Sequence, residues 1–196
     1  YKTIKIASEK LGFDYYRLTN SKNMLNVSDF KKLKDEIDVD EILANIKYIS
    51  SVGGDRKEIG FKYANDNLMY LLGLVSSDGS LISNKESNIN RVDFSNKEEA
   101  LLKKYCQIST KLFPSTKLRN FKNKDGVTIV RADSLLFYSI AKFFDIKKDF
   151  KIIFKLPEKL IAAFLRGYFD GDGYCNVKKR CVVYTTKEEL IAKRIQ

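Results

Sequence analysis

The sequence predicts an α+β protein in which helices alternate with antiparallel hairpins and one such unit is repeated. Two segments of nine residues, LLGLVSSDG at 71–79 and LRGYFDGDG at 165–173, carry the same motif. Each is followed by an alternating pattern around a polar turn, which is typical of a hairpin, and then by a helical pattern. The stretches 96–99 and 186–189, which share Lys-Glu-Glu, stand at matching places after the two hairpins.

The first unit has the predicted order helix, hairpin, helix, hairpin, helix. Apolar periodicity and turn signals give its elements in chain order: a helix ending at Asp78, strands 80–85 and 89–94, a helix 95–108, strands 116–121 and 127–132, and a helix 134–144. Lys-Asp-Gly at 124–126 is the predicted turn of the second hairpin. A lysine-rich connector, 147–155, leads to the next helix.

The second unit repeats this order over a shorter length. Its helix ends at Asp172, its strands are predicted at 174–177 and 181–185, and a further helix begins at Lys187. Only 24 residues follow Asp172, so we interpret this unit as truncated. The predicted domains are therefore a helical N-terminal region (1–60), a first unit (61–157) and an incomplete second unit (158–196).

The N-terminal region has its own pattern. Residues 4–18 fit a helix-turn-helix, whose second helix would present Asp14, Tyr15 and Arg17 to a major groove. An ordinary pair of antiparallel helices fits the pattern equally well, and both interpretations remain open. Residues 28–49 predict one or two further helices.

The composition of the chain excludes several classes of enzyme and indicates the charge of its partner. The chain has 196 residues, a net charge of +11 and no histidine, which removes Ser-His, Cys-His and zinc-protease chemistry. Residues 61–196 carry 25 basic and 15 acidic side chains, so the basic excess accompanies the repeated motif and indicates a polyanionic partner. Three cysteines without CxxC spacing predict reduced thiols and a cytoplasmic, intracellular protein, and no apolar run is long enough to span a membrane.

The repeated motif predicts two converging carboxylates. Gly73 and Ser77 lie four residues apart on one helix face, as do Gly167 and Gly171, and small residues let two helices approach closely. Asp78 and Asp172 would then meet where the two helices end.

Such an arrangement favours a bound cation. The C-terminus of a helix carries partial negative charge, so paired carboxylates there are unfavourable unless a cation relieves them. Oxygen ligands with open positions suit Mg²⁺ or Mn²⁺, which supports metal-dependent cleavage of nucleic acid. A calcium loop does not fit, because Tyr168 and Lys179 occupy the loop positions that require Asp and Glu.

With these residues in place, the chain resembles the two-motif LAGLIDADG homing endonucleases over about residues 65–196. The resemblance implies two pseudo-symmetric αββαββα units whose sheets form a saddle over duplex DNA, and a protein that acts as a monomer. It implies Asp78 and Asp172 as catalytic, metal-binding acids, with the carbonyls of Ser77 and Gly171 assisting. It also implies a lysine that positions solvent, for which we select Lys148 or Lys151. Ser76 stands where the family has a first, non-catalytic Asp.

Alternation along the strands predicts the DNA-facing side chains. Counted from Asp78, the predicted contacts are Ile82, Asn84, Arg91, Lys117, Arg119, Asn176 and Lys178, together with Arg131, whose strand parity is ambiguous.

The leading hypothesis is a site-specific double-strand DNA endonuclease that uses Mg²⁺ or Mn²⁺. Two alternatives on the same fold are a DNA-binding regulator without activity and a maturase that binds intron RNA. The regulator is disfavoured because both acids are kept. An intein is disfavoured because protein splicing relies on histidines.

Overall fold

The computed structural model describes residues 48–49, 57–84, 86–87, 89–184, 192–193 and 195. The predicted helix-turn-helix at 4–18 lies outside these residues. Tyr48–Ile49 (β1) and Lys57–Glu58 (β2) form a short antiparallel pair, so the helix predicted over 28–49 does not include its last two residues. No helix in the described part of the chain has the length and apolar character needed to cross a bilayer.

The central element is α1, Asp66–Asp78. It begins at Asn65, whose side-chain oxygen accepts a hydrogen bond from the N–H of Leu68 at 3.0 Å. Every residue from Leu68 to Ser76 is buried, so the helix lies inside the protein on all sides. Its most extensive partner is α4, Glu158–Asp172, the helix of the second motif.

The two motif helices touch through their backbones. A Cβ added to Gly73 would overlap the Phe164 carbonyl oxygen and stand 2.7 Å from the Tyr168 amide nitrogen. A Cβ on Gly167 would overlap the Tyr70 carbonyl oxygen of α1. Both glycines are therefore required for the close approach, as the motif spacing predicts.

A four-stranded antiparallel sheet packs against α1. Its strands are β3 (Gly79–Asn84), β4 (Ile89–Asn96), β5 (Leu118–Lys122) and β6 (Thr128–Asp133), in the spatial order β3-β4-β6-β5. Register places Val92 opposite Ala132 and Phe94 opposite Val130, and all four side chains are buried in the core. A separate pair, β7 (Gly173–Asn176) and β8 (Cys181–Tyr184), follows α4.

Two further helices complete the first unit. They are α2 (Glu99–Leu112) and α3 (Leu135–Phe143), and they pack Tyr105 against Phe94 and Phe137 against Phe113 as stacked ring pairs. The order α1-β3-β4-α2-β5-β6-α3 matches the predicted unit, and the α+β class is confirmed.

The predicted start of the helix after β4 is wrong by four residues. The pattern predicts a start at Ser95, but β4 continues to Asn96 because Ser95 and Asn96 pair with Ile129 and Thr128 across the sheet.

We predict that Gly167→Ala lowers the free energy of unfolding by about 1–3 kcal/mol or more, because the added methyl group meets the backbone of α1. Urea denaturation measures the change. Ala162→Leu is the matched control, since Ala162 is exposed on the same helix and its change should stay within about 0.5 kcal/mol. Equal stability of Gly167→Ala and the parent would contradict the close backbone contact.

Candidate active site and nucleic-acid interface

Each of the two packed helices ends at the aspartate of its motif. Asp78 is the last residue of α1 and Asp172 is the last residue of α4. Each helix passes directly into a strand, because the following glycines, Gly79 and Gly173, are extended and donate their N–H groups back to Val75 and Phe169. The carboxylates therefore stand at the junction between the helix pair and the two sheets.

The last turns of α1 and α4 are in contact at this junction. A Cβ added to Gly171 would lie 2.7 Å from the Cβ of Ser77 and 2.9 Å from the Oδ2 of Asp78. Gly171 thus leaves the space that the Ser77 side chain and the Asp78 carboxylate occupy. The carboxylate of one motif lies beside the backbone of the other.

The electrostatics of both acids reflect this setting. Burial raises the pKa of Asp78, and the nearby Asp172 raises it further, while the hydrogen bond from Asn96 and the charge of Lys147 oppose the shift. Burial also raises the pKa of the Asp172 carboxyl, and Lys147 again opposes the rise. Two partly desolvated acids of like charge form a site that a cation would stabilise.

Asn96 is a site residue that the sequence patterns did not predict. Its Nδ2 donates to Asp78 Oδ2 at 2.8 Å, and its Oδ1 accepts from the Glu98 N–H at 2.7 Å. The side chain therefore fixes one carboxylate oxygen while ending the strand. The available signal was its place at the end of β4, where the Ser-Asn pair is also typical of a helix cap.

Lys147 is the lysine that the structure brings to the acids. Its Nζ donates to the Ser76 carbonyl oxygen at 2.9 Å. The Lys147 side chain as a whole is exposed, but desolvation of its ammonium group at the junction lowers its pKa to about 8, while Asp172 and Asp78 act to raise it. Within the described part of the chain, it is the lysine whose charge acts on both carboxylates.

The two lysines predicted for this role are placed differently. Lys148 is exposed and its Nζ lies 3.9 Å from Asp145 Oδ1. Lys151 is exposed, and its backbone N–H donates to Asp149 Oδ1 at 3.0 Å. The structure does not bring the Lys148 ammonium to Asp78 and Asp172, and it records no contact between Lys151 and them. The solvent-positioning role therefore fits the neighbouring residue better.

The connector holds Lys147 through its buried neighbours. Ile146 and Phe150 are almost fully buried, and the backbone adopts positive φ at Asp145 (51°) and Phe150 (56°). A positive φ is costly for residues other than glycine, so packing must stabilise this turn. The Ser76 hydroxyl also donates to the Ile146 carbonyl oxygen at 2.5 Å, which attaches the connector to α1.

The equivalent position in the second motif has another role. Asp170 stands where Ser76 stands in the first motif, and its Oδ2 accepts a hydrogen bond from Tyr70 Oη at 2.5 Å. Lys104 lies 3.4 Å from the same oxygen and above the Tyr70 ring. The two pseudo-equivalent residues therefore anchor different elements.

The residues at the junction fit a divalent metal ion. Asp78 and Asp172 supply two carboxylates, and the carbonyls of Ser77 and Gly171 lie in the same two helical turns. The described residues contain no cluster of three or more His, Cys, Asp or Glu side chains suited to a metal. Mg²⁺ requires no such cluster, because it is commonly bound by one or two carboxylates, water and substrate phosphate.

Strand register places most of the predicted DNA contacts on one face of the sheet. Ile82 faces Arg91 across β3 and β4, and Arg131 faces Arg119 across β5 and β6, on the side opposite the core. Asn84 belongs to the same face, although its Oδ1 accepts from the N–H groups of Glu86 and Ser87 at the turn. The ambiguous parity of Arg131 is thus resolved.

The remaining predicted contacts are near the strand ends. Lys117 precedes β5 and is exposed, and Lys178 is exposed in the turn between β7 and β8. Asn176 is half-buried and its Oδ1 accepts from the Lys179 N–H at 3.0 Å, so this oxygen stabilises the turn.

Comparisons with known proteins agree with this architecture. Residues 159–196 match the family described as LAGLIDADG-like domain. The crystal structure of I-DmoI in complex with DNA and Ca has a TM-score of 0.53 at 21% identity, covering 65% of this chain and 67% of that chain. The end of the chain is thus similar to LAGLIDADG-like domains, and the chain shares the fold of I-DmoI. A second I-DmoI structure, in complex with its target DNA in the presence of Mg, gives 0.52 at 22% identity, covering 65% and 72% of the two chains.

Two curated proteins contain a segment similar to this chain. The B subunit of the A-type ATP synthase of Methanopyrus kandleri is 31% identical over 182 residues, covering 92% of this chain and 17% of that protein. The replication factor C small subunit of Methanocaldococcus jannaschii is 30% identical over 139 residues, covering 66% and 7%. The chain thus spans less than a fifth of the length of either relative.

Because folding raises the pKa values of Asp78 and Asp172, the pH dependence of stability tests the electrostatics of this site. A carboxyl whose pKa is raised by folding favours its protonated form, so its stabilising contribution is present at low pH. That contribution is lost as pH rises above about 4, the ordinary pKa of Asp, and through the folded-state value. We predict that Asp78→Asn, which cannot ionise, is at least as stable as the parent at pH 7.5 in EDTA.

Urea denaturation between pH 3 and 8 measures this difference, and Mg²⁺ titration provides the second measurement. Mg²⁺ should raise the Tm of the parent at pH 7.5 and have a smaller effect on Asp78→Asn, because binding to the folded state stabilises it. Asp125→Asn, in an exposed hairpin turn, is the control that should respond like the parent. A clear loss of stability in metal-free Asp78→Asn would contradict the electrostatic account.

Proposed function

We propose that this chain is a metal-dependent endonuclease that cleaves double-stranded DNA at specific sites. The observation that carries the proposal is the junction of α1 and α4, where Asp78, Asp172 and Lys147 are near enough for their charges to shift one another's pKa values. Supporting observations are the net charge of +11 and the DNA complexes of the I-DmoI structures that share this fold.

Each side chain at the junction has a role in hydrolysis of a phosphodiester. Asp78 and Asp172 would hold Mg²⁺ or Mn²⁺, with the carbonyls of Ser77 and Gly171 nearby. The metal would activate water and stabilise negative charge on the phosphate. Asn96 fixes the orientation of Asp78 through its hydrogen bond.

Lys147 would act on solvent at the scissile phosphate. An ammonium group with a pKa of about 8 is close to neutral pH, where a proton donor is most effective. In the reaction a water molecule gives up one proton as its oxygen bonds to phosphorus, the bond to one ester oxygen breaks, and that oxygen receives a proton that the Lys147 ammonium would supply and regain from the attacking water through solvent. We place Lys147 in the role for which the sequence patterns favour Lys148 or Lys151.

The sheet face would bind the duplex. The candidate contacts are Ile82, Asn84, Arg91, Lys117, Arg119, Arg131, Asn176 and Lys178. Basic side chains neutralise phosphates and supply affinity, while side chains that reach base edges supply specificity. Neither I-DmoI complex lends support to the intron RNA that the family resemblance suggested as a second partner, and we do not propose it.

The same unit is inferred to occur within longer proteins. Segments similar to this chain form 17% of a protein named as an ATP synthase subunit and 7% of one named as a replication factor subunit. A segment shared by proteins of such different names is typical of an inserted domain. The absence of histidine, which disfavours an intein, concerns only these 196 residues. Coding sequence continuing in frame on both sides of the gene segment would support the inference, and stop codons at both ends would contradict it.

The endonuclease proposal is tested with single amide substitutions at the acids. We predict that Asp78→Asn and Asp172→Asn each lower Mg²⁺-dependent cleavage of a duplex target about 10²–10⁴-fold, because a metal site contributes several kcal/mol to the transition state. DNA binding should persist, since neither change removes a basic group. Targets are selected from a randomised duplex library, and cleavage is followed by gel electrophoresis. A parent that binds a selected site but never nicks it with Mg²⁺ or Mn²⁺ would instead indicate a DNA-binding regulator.

The proposed role of Lys147 is tested separately, with the neighbouring Lys148 as the control. We predict that Lys147→Met lowers the cleavage rate about 10²–10⁴-fold, as expected for loss of a group that transfers protons or orients solvent. Lys148→Met removes the same charge one residue away and should leave the rate within about threefold of the parent, because its ammonium pairs with Asp145. Equal losses in the two variants would show a general charge effect and refute the assignment of Lys147.

A further inference from the structure

The DNA-binding face of the sheet contains two aspartates among its arginines. Across β4 and β6, Arg91 stands opposite Asp133 and Asp93 stands opposite Arg131. Arg131 in turn faces Arg119 across β5 and β6. Negative charge on a surface that attracts phosphate opposes binding, so these two aspartates require a physical explanation.

The two aspartates are used differently. Asp93 is buried and accepts three hydrogen bonds from Arg131: two from Nε, at 3.0 and 3.3 Å, and one from Nη2 at 2.7 Å. Arg131 also lies over the Phe121 ring, 4.6 Å from its centroid. Asp93 and Arg131 therefore satisfy each other's hydrogen bonds within the protein and stabilise the sheet.

Asp133, by comparison, forms ion pairs that are more exposed to solvent. Its Oδ2 accepts a hydrogen bond from Arg119 Nη2, and its Oδ1 lies 3.4 Å from Arg91 Nε. The Arg119 side chain is 65% exposed, whereas that of Arg91 is 18% exposed. Asp133 and Arg119 line an open groove together with Lys57, Ser115 and Lys117, so both are accessible to a ligand.

We propose that Asp133 is a specificity-determining residue that holds Arg119 for base contact and reduces sequence-independent attraction to phosphate. The inference rests on the DNA binding in the proposed function and not on cleavage. A guanidinium fixed by a carboxylate keeps one orientation, which favours the paired hydrogen bonds that arginine forms with guanine. The same carboxylate cancels much of the charge that would otherwise bind any phosphate.

This arrangement lowers the affinity of the protein for DNA of incorrect sequence. A free arginine contributes to affinity for every DNA sequence, because each phosphate contact releases counterions. Asp133 removes that contribution from Arg119 and Arg91 together. Correct sequences regain binding through base contacts, whereas incorrect sequences do not, so the ratio of specific to non-specific binding increases.

The experiment compares Asp133→Asn with Asp125→Asn in the full chain. Asp125 lies in the exposed turn of the same hairpin, so both substitutions remove one negative charge. We expect Asp133→Asn to bind a random-sequence 30-bp duplex pool about 3- to 10-fold more tightly at 100 mM KCl. The slope of log affinity against log salt should steepen by about 1–2, as one or two arginines become free for phosphate. Asp125→Asn should change both quantities less.

Selection from a randomised duplex library provides the second measurement. Sequencing of bound DNA should show a weaker base preference for Asp133→Asn than for the parent. Unchanged affinity and base preference in Asp133→Asn would overturn the proposal, as would equal effects of Asp125→Asn. Since these readouts require no metal or cleavage, an inactive parent would refute the endonuclease without affecting this test.

A second pair of variants keeps the proposal testable if Asp133→Asn does not fold. Arg119→Gln should weaken base preference and change the salt slope by less than about 0.5, because its charge is already paired. Lys117→Gln, two residues earlier and exposed, should reduce the slope by about 0.9 with little effect on base preference. Loss of slope in Arg119→Gln equal to that in Lys117→Gln would show that Arg119 binds phosphate, and the proposal would be wrong.

Discussion

The backbone contact between α1 and α4 is the constraint on which the rest of the structure depends. Gly73 and Gly167 let the two helices meet without intervening side chains, and Gly171 continues this contact to their last turns. Because side chains normally keep helices about 8–10 Å apart, the absence of bulk brings two chain segments of opposite units unusually close. The two carboxylates at the helix ends are therefore held together by backbone geometry and not by flexible side chains.

The same contact connects the acids to the sheets. Neither helix is followed by a loop, since Gly79 and Gly173 begin strands directly. A change in the position of the helix pair therefore moves β3 and β7 with it. In the proposed DNA complex, this connection would fix the distance between the acids and the candidate DNA contacts, so that cleavage would occur at a defined place within the bound sequence.

The sequence predicted the parts of the fold that local patterns determine. The four-residue spacing of Gly73 with Ser77 and of Gly167 with Gly171 predicted the helix contact, and alternation predicted the hairpins, because both patterns involve residues close in the chain. Asn96 was missed because its role depends on where β4 ends relative to Asp78. Local pattern alone did not distinguish Lys147 from Lys148, because the choice depends on the left-handed turn at Asp145 and on the burial of Ile146. The predicted DNA-contact and catalytic roles stay predictions.

Among the described residues, carboxylates stand beside basic groups both at the helix junction and on the sheet, and their surroundings differ. At the helix junction, Asp78 and Asp172 are partly desolvated and interact with one lysine, an arrangement that a bound cation would stabilise. On the sheet, Asp133 is balanced within the protein by two arginines. In the proposed function, the first arrangement would leave its attraction available for a metal ion and a phosphate. The second uses its attraction inside the protein, where DNA of arbitrary sequence would not gain from it. This difference in the use of carboxylates would let one basic protein bind DNA, select a sequence and hold a metal ion.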